Sequence, residues 1–240
     1  MTRLVAVVTG GSNGIGEGIC AQLLAAGATV VNIDVVTPKK TPAGESHFFQ
    51  CDLTDAAATR KLAADLAQRF EVNCLVNNAG FPTPGTLEEI TDAAFDHGAN
   101  LHLRAAIILM QAFVPGMKAR RFGRIVNMSS RSILGKKART VYAGTKAALV
   151  AYTRSWALEL GEYGITVNAI SPGPVITELF TKYQKPEVIE KLIGLTVVGR
   201  AGRPDDIARA AMFFLSPDNS YVTGQTLHVC GGSSLGGAPW

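Results

Sequence analysis

The sequence has little with which to cross-link or coordinate: its four cysteines, Cys20, Cys51, Cys74 and Cys230, lie far apart, with no CxxC pair and no histidine at metal-ligand spacing. This excludes a disulfide framework and the usual zinc patterns, and leaves free, buried thiols in a reducing cytosol, with no metal, as the expectation. Long apolar runs are lacking too. Ala105-Ala106-Ile107-Ile108-Leu109-Met110 stops well short of the roughly 18 residues a membrane span needs, so no membrane partner is expected. Charge is sparse at 18%, and the net +4 comes from Lys and Arg scattered along the chain rather than gathered in a stripe. Nucleic-acid binding therefore has no electrostatic footprint. Met1 leads within a few residues into an apolar strand, with no basic-then-apolar leader, which places the expected location in the cytoplasm. No linker, repeat or low-complexity tract interrupts the chain before the glycine-rich tail 231–240, so residues 1–240 read as one domain.

What is present is apolar substance. Hydrophobic residues make up 47% of the chain, enough for a substantial core and contrary to disorder. Short β-branched runs recur at Leu4–Val8, Thr29–Ile33, Cys74–Val76, Arg124–Met128, Thr166–Ile170 and Thr226–Val229. Between them lie helical patterns, at Ile15–Ala26, Ala56–Phe70, Leu87–Val114, Val141–Gly161 and Pro204–Leu215, with Gly27, Gly116 and Gly161 placed to end helices. Fully apolar strands alternating with helices imply a parallel sheet covered on both faces, that is, a doubly wound α/β fold of Rossmann type.

After the first strand comes Thr9-Gly10-Gly11-Ser12-Asn13-Gly14-Ile15-Gly16, where a helix begins. Glycines here permit positive φ and close approach of a pyrophosphate, whose charge the free N–H groups of the helix start can meet; a tight strand-to-helix turn with no ligand is the plainer alternative. The second strand ends in Asp34. Its carboxylate suits the hydroxyls of an adenosine ribose and repels a 2′-phosphate, favouring NAD over NADP, although Lys39 and Lys40 downstream soften that exclusion.

The ordered set of the Thr9–Gly16 turn, Asp34, Cys51-Asp52-Leu53, Asn77-Asn78-Ala79-Gly80, Asn100, Ser130, Tyr142-Ala143-Gly144-Thr145-Lys146 and Pro172-Gly173 resembles the short-chain dehydrogenase/reductase family over nearly the whole chain. The resemblance implies that Gly10, Ser12, Asn13, Gly14 and Ile15 cradle the dinucleotide, that Asp52 and Leu53 lie by the adenine, and that Asn78, Ala79 and Gly80 run along the cofactor. It also implies that Pro172, Gly173, Val175 and Thr177 grip the nicotinamide carboxamide. By the same resemblance Tyr142 is the general acid/base, Lys146 binds the nicotinamide ribose, Ser130 holds the substrate oxygen, and Asn100 holds a water in a proton relay.

Tyr142 and Lys146 stand four apart on a helix, hence on one face. A free tyrosine has a pKa near 10, and a nearby ammonium favours the phenolate; lowering it by about 3 units needs roughly 4 kcal/mol, which Lys146 and a positive nicotinamide ring are expected to supply. Ser129, Ser130 and Ser132 compete for the serine role. Alignment on the strand selects Ser130 with a loop to Tyr142 shortened by one residue, whereas Ser129 restores the usual spacing but turns to the opposite side of the strand.

Substrate walls are expected from Phe81 and Pro82, from the loop between Ser130 and Tyr142, and from Leu179, Phe180 and Tyr183, a mixture suited to an uncharged or amphipathic secondary alcohol or ketone. Lys136, Lys137 and Arg139 read as a solvated basic loop, with an acidic substrate or an acyl-carrier phosphate as the alternative. Apolar excess on Ala105–Phe113 and Tyr152–Leu160, with the family's usual assembly, implies a homotetramer, and the closing Trp240 permits docking on a neighbouring subunit. The competing functions are an NADPH-linked 3-oxoacyl thioester reductase, which Asp34 disfavours, and a non-catalytic dinucleotide sensor, which would not need Ser130, Tyr142 and Lys146 together.

Overall fold

The computed structural model describes residues 3–40, 43–177 and 186–235. Seven parallel strands form one sheet in the order β3-β2-β1-β4-β5-β6-β7. They are β1 (Val5–Thr9), β2 (Thr29–Asp34), β3 (Ser46–Gln50), β4 (Cys74–Asn77), β5 (Gly123–Met128), β6 (Ile165–Pro172) and β7 (Thr226–Val229). The order reverses between β1 and β4. At that switch point the helices leave to opposite faces and open a crevice at the carboxyl ends of the strands.

The helices are α1 (Gly14–Ala25), α2 (Ala56–Arg69), α3 (Asp92–Ala99), α4 (Ala105–Arg120), α5 (Thr140–Leu160), α6 (Pro186–Gly194) and α7 (Pro204–Leu215). Two cores result because successive strand residues point to opposite faces. Val7, Val31, Leu75, Ile125 and Val167 pack with residues of α2, α4 and α5. Ala6, Val8, Val30, Val76 and Val126 pack with those of α1 and α7. All four cysteines are free and buried. Among the described residues no helix is long and apolar enough to cross a membrane.

Several expectations need correction. β1 begins and ends one residue later than its apolar run. β3 was not expected at all: Ser46-His47-Phe48-Phe49-Gln50 is an edge strand, only half-buried, and so lacks the apolar signature of its inner neighbours. The stretch expected as one helix over Leu87–Val114 is broken. A 3-10 turn at Leu87–Glu89, capped by Thr86 and Glu89, precedes α3, which Thr91 caps by accepting from the Ala94 N–H. Between α3 and α4 the chain widens into a π-helical segment, Asn100–Arg104, where the Ala105 N–H reaches back to the Asn100 carbonyl. Gly116 ends nothing, since α4 runs on to Arg120 and stops at Arg121, whose φ of 52° is left-handed.

Candidate active site

The carboxyl ends of the strands enclose a cleft of about 820 Å³, within the usual range for small-molecule sites. The sequence-predicted residues Gly10, Asn13, Gly14, Ile15, Asp34, Asp52, Leu53, Asn78, Ala79, Gly80, Ser130, Tyr142, Lys146, Pro172, Gly173, Val175 and Thr177 all line it. Two do not. Ser12 is buried, its hydroxyl accepting from Asn32 Nδ2 at 3.0 Å. Asn100, half-buried, opens the π segment and is not itself on the lining, though the next residue, Leu101, is. Of the expected walls, Phe81 and Pro82 line the cleft, and Leu179, Phe180 and Tyr183 lie outside the described residues, as does Trp240.

The first turn is held from three directions. Gly10 and Gly14 take φ of 66° and 56°, the region that glycine occupies without strain. Asn78 Nδ2 donates to the carbonyls of Thr9 and Gly10, while Thr9 Oγ1 accepts from the Asn78 and Ala79 N–H groups, which ties the turn to the end of β4. Asn32 Oδ1 accepts from the Gly11 N–H, and Asp34 accepts from the Ser12 and Val36 N–H groups. Asn13, at the N-cap of α1, supplies no side-chain cap, so the first-turn amides are left to an anion. A Cβ at Gly14 would stand 3.0 Å from the Thr177 methyl, leaving room for backbone alone. An uncapped helix start, two left-handed glycines and a rim carboxylate on β2 fit a nicotinamide dinucleotide.

The reacting end is built by β5 and α5. The Ser130 side chain caps a 3-10 turn, Arg131–Leu134, by accepting from the Ser132 N–H, and shares the cleft lining with Tyr142. Ser129 is buried and donates to the Lys146 carbonyl at 2.9 Å, so the alternation along the strand sends it inward. Lys146, also buried, donates from Nζ to the Met128 carbonyl at 2.7 Å, and burial pushes its pKa down to about 7.

The expected tuning of Tyr142 by Lys146 is not what this arrangement gives. Burial lifts the Tyr142 pKa above its ordinary value, and the groups that pull it back are Ser130, by its hydrogen bond, and Arg139, by its charge. Lys146 Nζ lies 5.9 Å from the Tyr142 ring centroid and spends its hydrogen bond on Met128. Without the dinucleotide, Lys146 is not among the groups that move the Tyr142 pKa.

Sequence reasoning missed His102, which sits in the π segment and is 2% exposed. Its Nε2 accepts from the Phe81 N–H at 3.2 Å, so the proton resides on Nδ1 and is donated to Thr145 Oγ1 at 2.8 Å. Thr145 in turn donates to the Val141 carbonyl. The neutral ring thus clamps the loop after β4 to the helix carrying Tyr142 and Lys146. Burial, then Lys146 and His97, drive its pKa down to about 2. A lone histidine in an apolar helical stretch reads as core, and no spacing in the sequence marks this one.

Comparison with known proteins agrees with this geometry. The family model described as enoyl-(acyl carrier protein) reductase matches residues 10–234. The chain is 34% identical to a (2S)-[(R)-hydroxy(phenyl)methyl]succinyl-CoA dehydrogenase subunit of Thauera aromatica, covering 96% of each chain. It is 36% identical to sorbitol-6-phosphate 2-dehydrogenase of Klebsiella pneumoniae, over 97% of this chain and 96% of that one. The crystal structure of a putative NAD(P)-dependent gluconate 5-dehydrogenase from Beutenbergia cavernae, with NADP bound at low occupancy, superposes with a TM-score of 0.93 at 32% identity, over 97% of both chains.

Proposed function

The chain belongs to the short-chain dehydrogenase/reductase family and is an NAD(P)-dependent oxidoreductase acting on an alcohol or ketone, and from that premise we propose that Tyr142, Ser130 and Lys146 carry its chemistry with NAD as the preferred cofactor. The observation that carries this reading is that Ser130 and Tyr142 line the same cleft, with Lys146 one turn further along α5. When bound, the dinucleotide supplies the two-electron carrier that takes the carbinol hydride or returns it to the carbonyl. The chain's residues hold the substrate and manage the proton. Ser130 Oγ hydrogen-bonds the substrate oxygen, and Tyr142 takes the hydroxyl proton during oxidation or gives it back during reduction.

Tyr142 starts from a raised pKa, so proton transfer near neutral pH needs positive charge beside it. Arg139 and Lys146 are the chain's sources. Lys146 also positions the nicotinamide ribose, and Asn100, at the head of the π segment, holds a relay water. The uncapped α1 start takes the pyrophosphate; Asp52 and Leu53 border the adenine, and Val175 and Thr177 the carboxamide.

NAD preference rests on Asp34, whose carboxylate is fixed at the rim by two backbone N–H groups and faces any 2′-phosphate with its charge. The Beutenbergia protein carries NADP, so the likeness itself does not favour NAD, and the NAD reading stands on that side chain alone. A homotetramer fits the apolar remainder on α5, where Leu158 is 87% exposed, whereas the apolar residues of α4 are largely consumed by the chain's own core. Four free thiols suit the cytoplasm.

The test is NADH formation from a panel of secondary alcohols, in parallel with NADP and with Tyr142→Phe. Turnover that the variant loses by roughly 100-fold or more, with NADH affinity retained, is expected. Near-wild-type turnover by Tyr142→Phe would remove it as the acid/base, and a clear NADP preference would remove the NAD assignment.

A further inference from the structure

The cleft is unevenly charged. Its carboxylates, among the described residues, are Asp34 at the end of β2 and Asp52 after β3, with Lys39 lining the same side. Its far side, after β5, carries Arg131, Lys136 and Arg139. Between β2 and β5 lie β1 and β4, so the two charged ends are separated by three strand spacings, roughly 14 Å. Arg131, Lys136 and Arg139 therefore stand with Ser130 and Tyr142 at the reacting end, while Lys39 lines the adenosine end.

None of the three is ion-paired with a carboxylate among the described residues. Each guanidinium has a backbone anchor instead: Arg131 Nη1 donates to the Ser233 carbonyl at 3.2 Å and Arg139 Nη1 to the Ala138 carbonyl at 2.7 Å. The loop that holds them is itself pinned. The Gly85 N–H donates to the Ala138 carbonyl, the Ala143 N–H to that of Arg139, and Ala138 is kept at a left-handed φ of 54°. The groups also feel one another. Lys136 is held below its usual pKa, first by the surroundings of its ammonium and then by Arg139 and Arg131, and the charge of Arg139 reaches Tyr142. Lys136 and Lys137 are both exposed, but Lys136 lines the cleft and Lys137 is off its lining. The loop is thus not uniform: one of its cations is off the cleft lining while its neighbours are on it.

Like charges gathered beside a reacting hydroxyl, without a carboxylate partner, raise one another's energy until an anion joins them. We propose that Arg131, Lys136 and Arg139 form a subsite for an anionic substituent of the substrate, a carboxylate or a phosphate ester carried on the alcohol or ketone that Ser130 and Tyr142 hold. This rests on the reading of the cleft as an oxidoreductase site. The two guanidiniums can present paired N–H donors to either oxyanion, and the lysine adds a point charge.

The probes are inorganic phosphate and succinate, titrated at constant ionic strength against the NADH complex, with thermal stabilisation as readout. Saturable stabilisation is expected for wild type, and weakening by roughly tenfold for each cation removed in Arg139→Gln and Lys136→Gln. Lys137→Gln should leave it unchanged. Preference for phosphate or succinate tells the two substituents apart. Absence of saturable stabilisation by either probe, or an equal loss in Lys137→Gln, would overturn the subsite. NADH affinity is measured first by fluorescence titration on every variant. Its absence would sink the dinucleotide reading separately, and the difference between wild type and the cleft variants would still decide the subsite in the chain without NADH.

Discussion

Acidifying the protein from pH 8 to pH 5 should expose the cost of keeping His102 neutral. In the unfolded chain a histidine titrates near 6.5, whereas in the fold its pKa lies at about 2 because burial excludes the charged ring. The folded value is depressed, so the unfolded chain binds the proton first. Stability from this group is complete above pH 6.5 and is lost progressively as pH falls toward 2. At about 1.4 kcal/mol per pH unit, roughly 1.5 units below 6.5 costs about 2 kcal/mol at pH 5. For a chain of this length that is a fall in Tm of roughly 4–8 °C. The companion variant is His102→Gln, which has no proton to gain. It starts less stable at pH 8, by about 1–3 kcal/mol if the Phe81 N–H or Thr145 loses its partner. The gap between the two proteins should then close by about 2 kcal/mol between pH 8 and pH 5. Lys146 does not confuse the measurement. Its depressed pKa of about 7 costs stability as pH falls from the unfolded value near 10.5 to 7, and it is present in both proteins. Thermal melts of both chains at each pH unit decide the matter, and parallel curves would refute the neutral, doubly bonded ring.

A Cβ at Gly16 would run into the Gly10 carbonyl oxygen and press on Asn78 Nδ2, so Gly16→Ala should abolish measurable NADH binding in fluorescence titration; unchanged affinity would show that the turn is not the dinucleotide cradle. Arg124 is fully buried and bonds the carbonyls of Gly123, Gly164, Ser216 and Pro217, so Arg124→Met should cost at least about 3 kcal/mol in urea denaturation, and a loss below about 1 kcal/mol would mean those carbonyls find other donors. Asp34→Ser removes the charge that faces a 2′-phosphate, and the NADPH-to-NADH ratio of kcat/KM should rise by roughly tenfold or more; a constant ratio would assign cofactor choice to another residue.

The apolar code was enough for the inner sheet, because strands buried on both faces leave a near-continuous apolar run, as at Val5–Val8. Pro204–Leu215 was equally legible, since proline stands at its first turn and Asp206 returns to the Arg203 N–H. β3 was not, for the same physical reason in reverse: an edge strand may be polar at both ends and still pair, as Ser46 and Gln50 do with Val30 and Asp34. Ser130 was chosen over Ser129 by alignment on the strand, with Ser129 expected to turn to the opposite side, and Ser129 Oγ donates to the Lys146 carbonyl in the interior.

The harder loss was the break at Asn100–Arg104, because side-chain periodicity does not record which carbonyl each N–H reaches. A bond from Ala105 back to Asn100 spans five residues, and one such step offsets the helical face before it from the face after it. The consequence falls on the site. α3 and α4 are no longer one amphipathic rod, and at their junction His102 meets both Phe81 and Thr145. The clamp between the β4 loop and α5 therefore depends on an irregularity that an apolar pattern averages away. The same holds for the cations after β5: Lys136, Lys137 and Arg139 look alike in sequence, and only the pinned loop between Gly85 and Ala143 sets two of them on the lining of Tyr142's cleft and leaves the third off it. Where backbone geometry decides which side chain meets the substrate, composition gives the inventory of charges, and the fold selects which of them act.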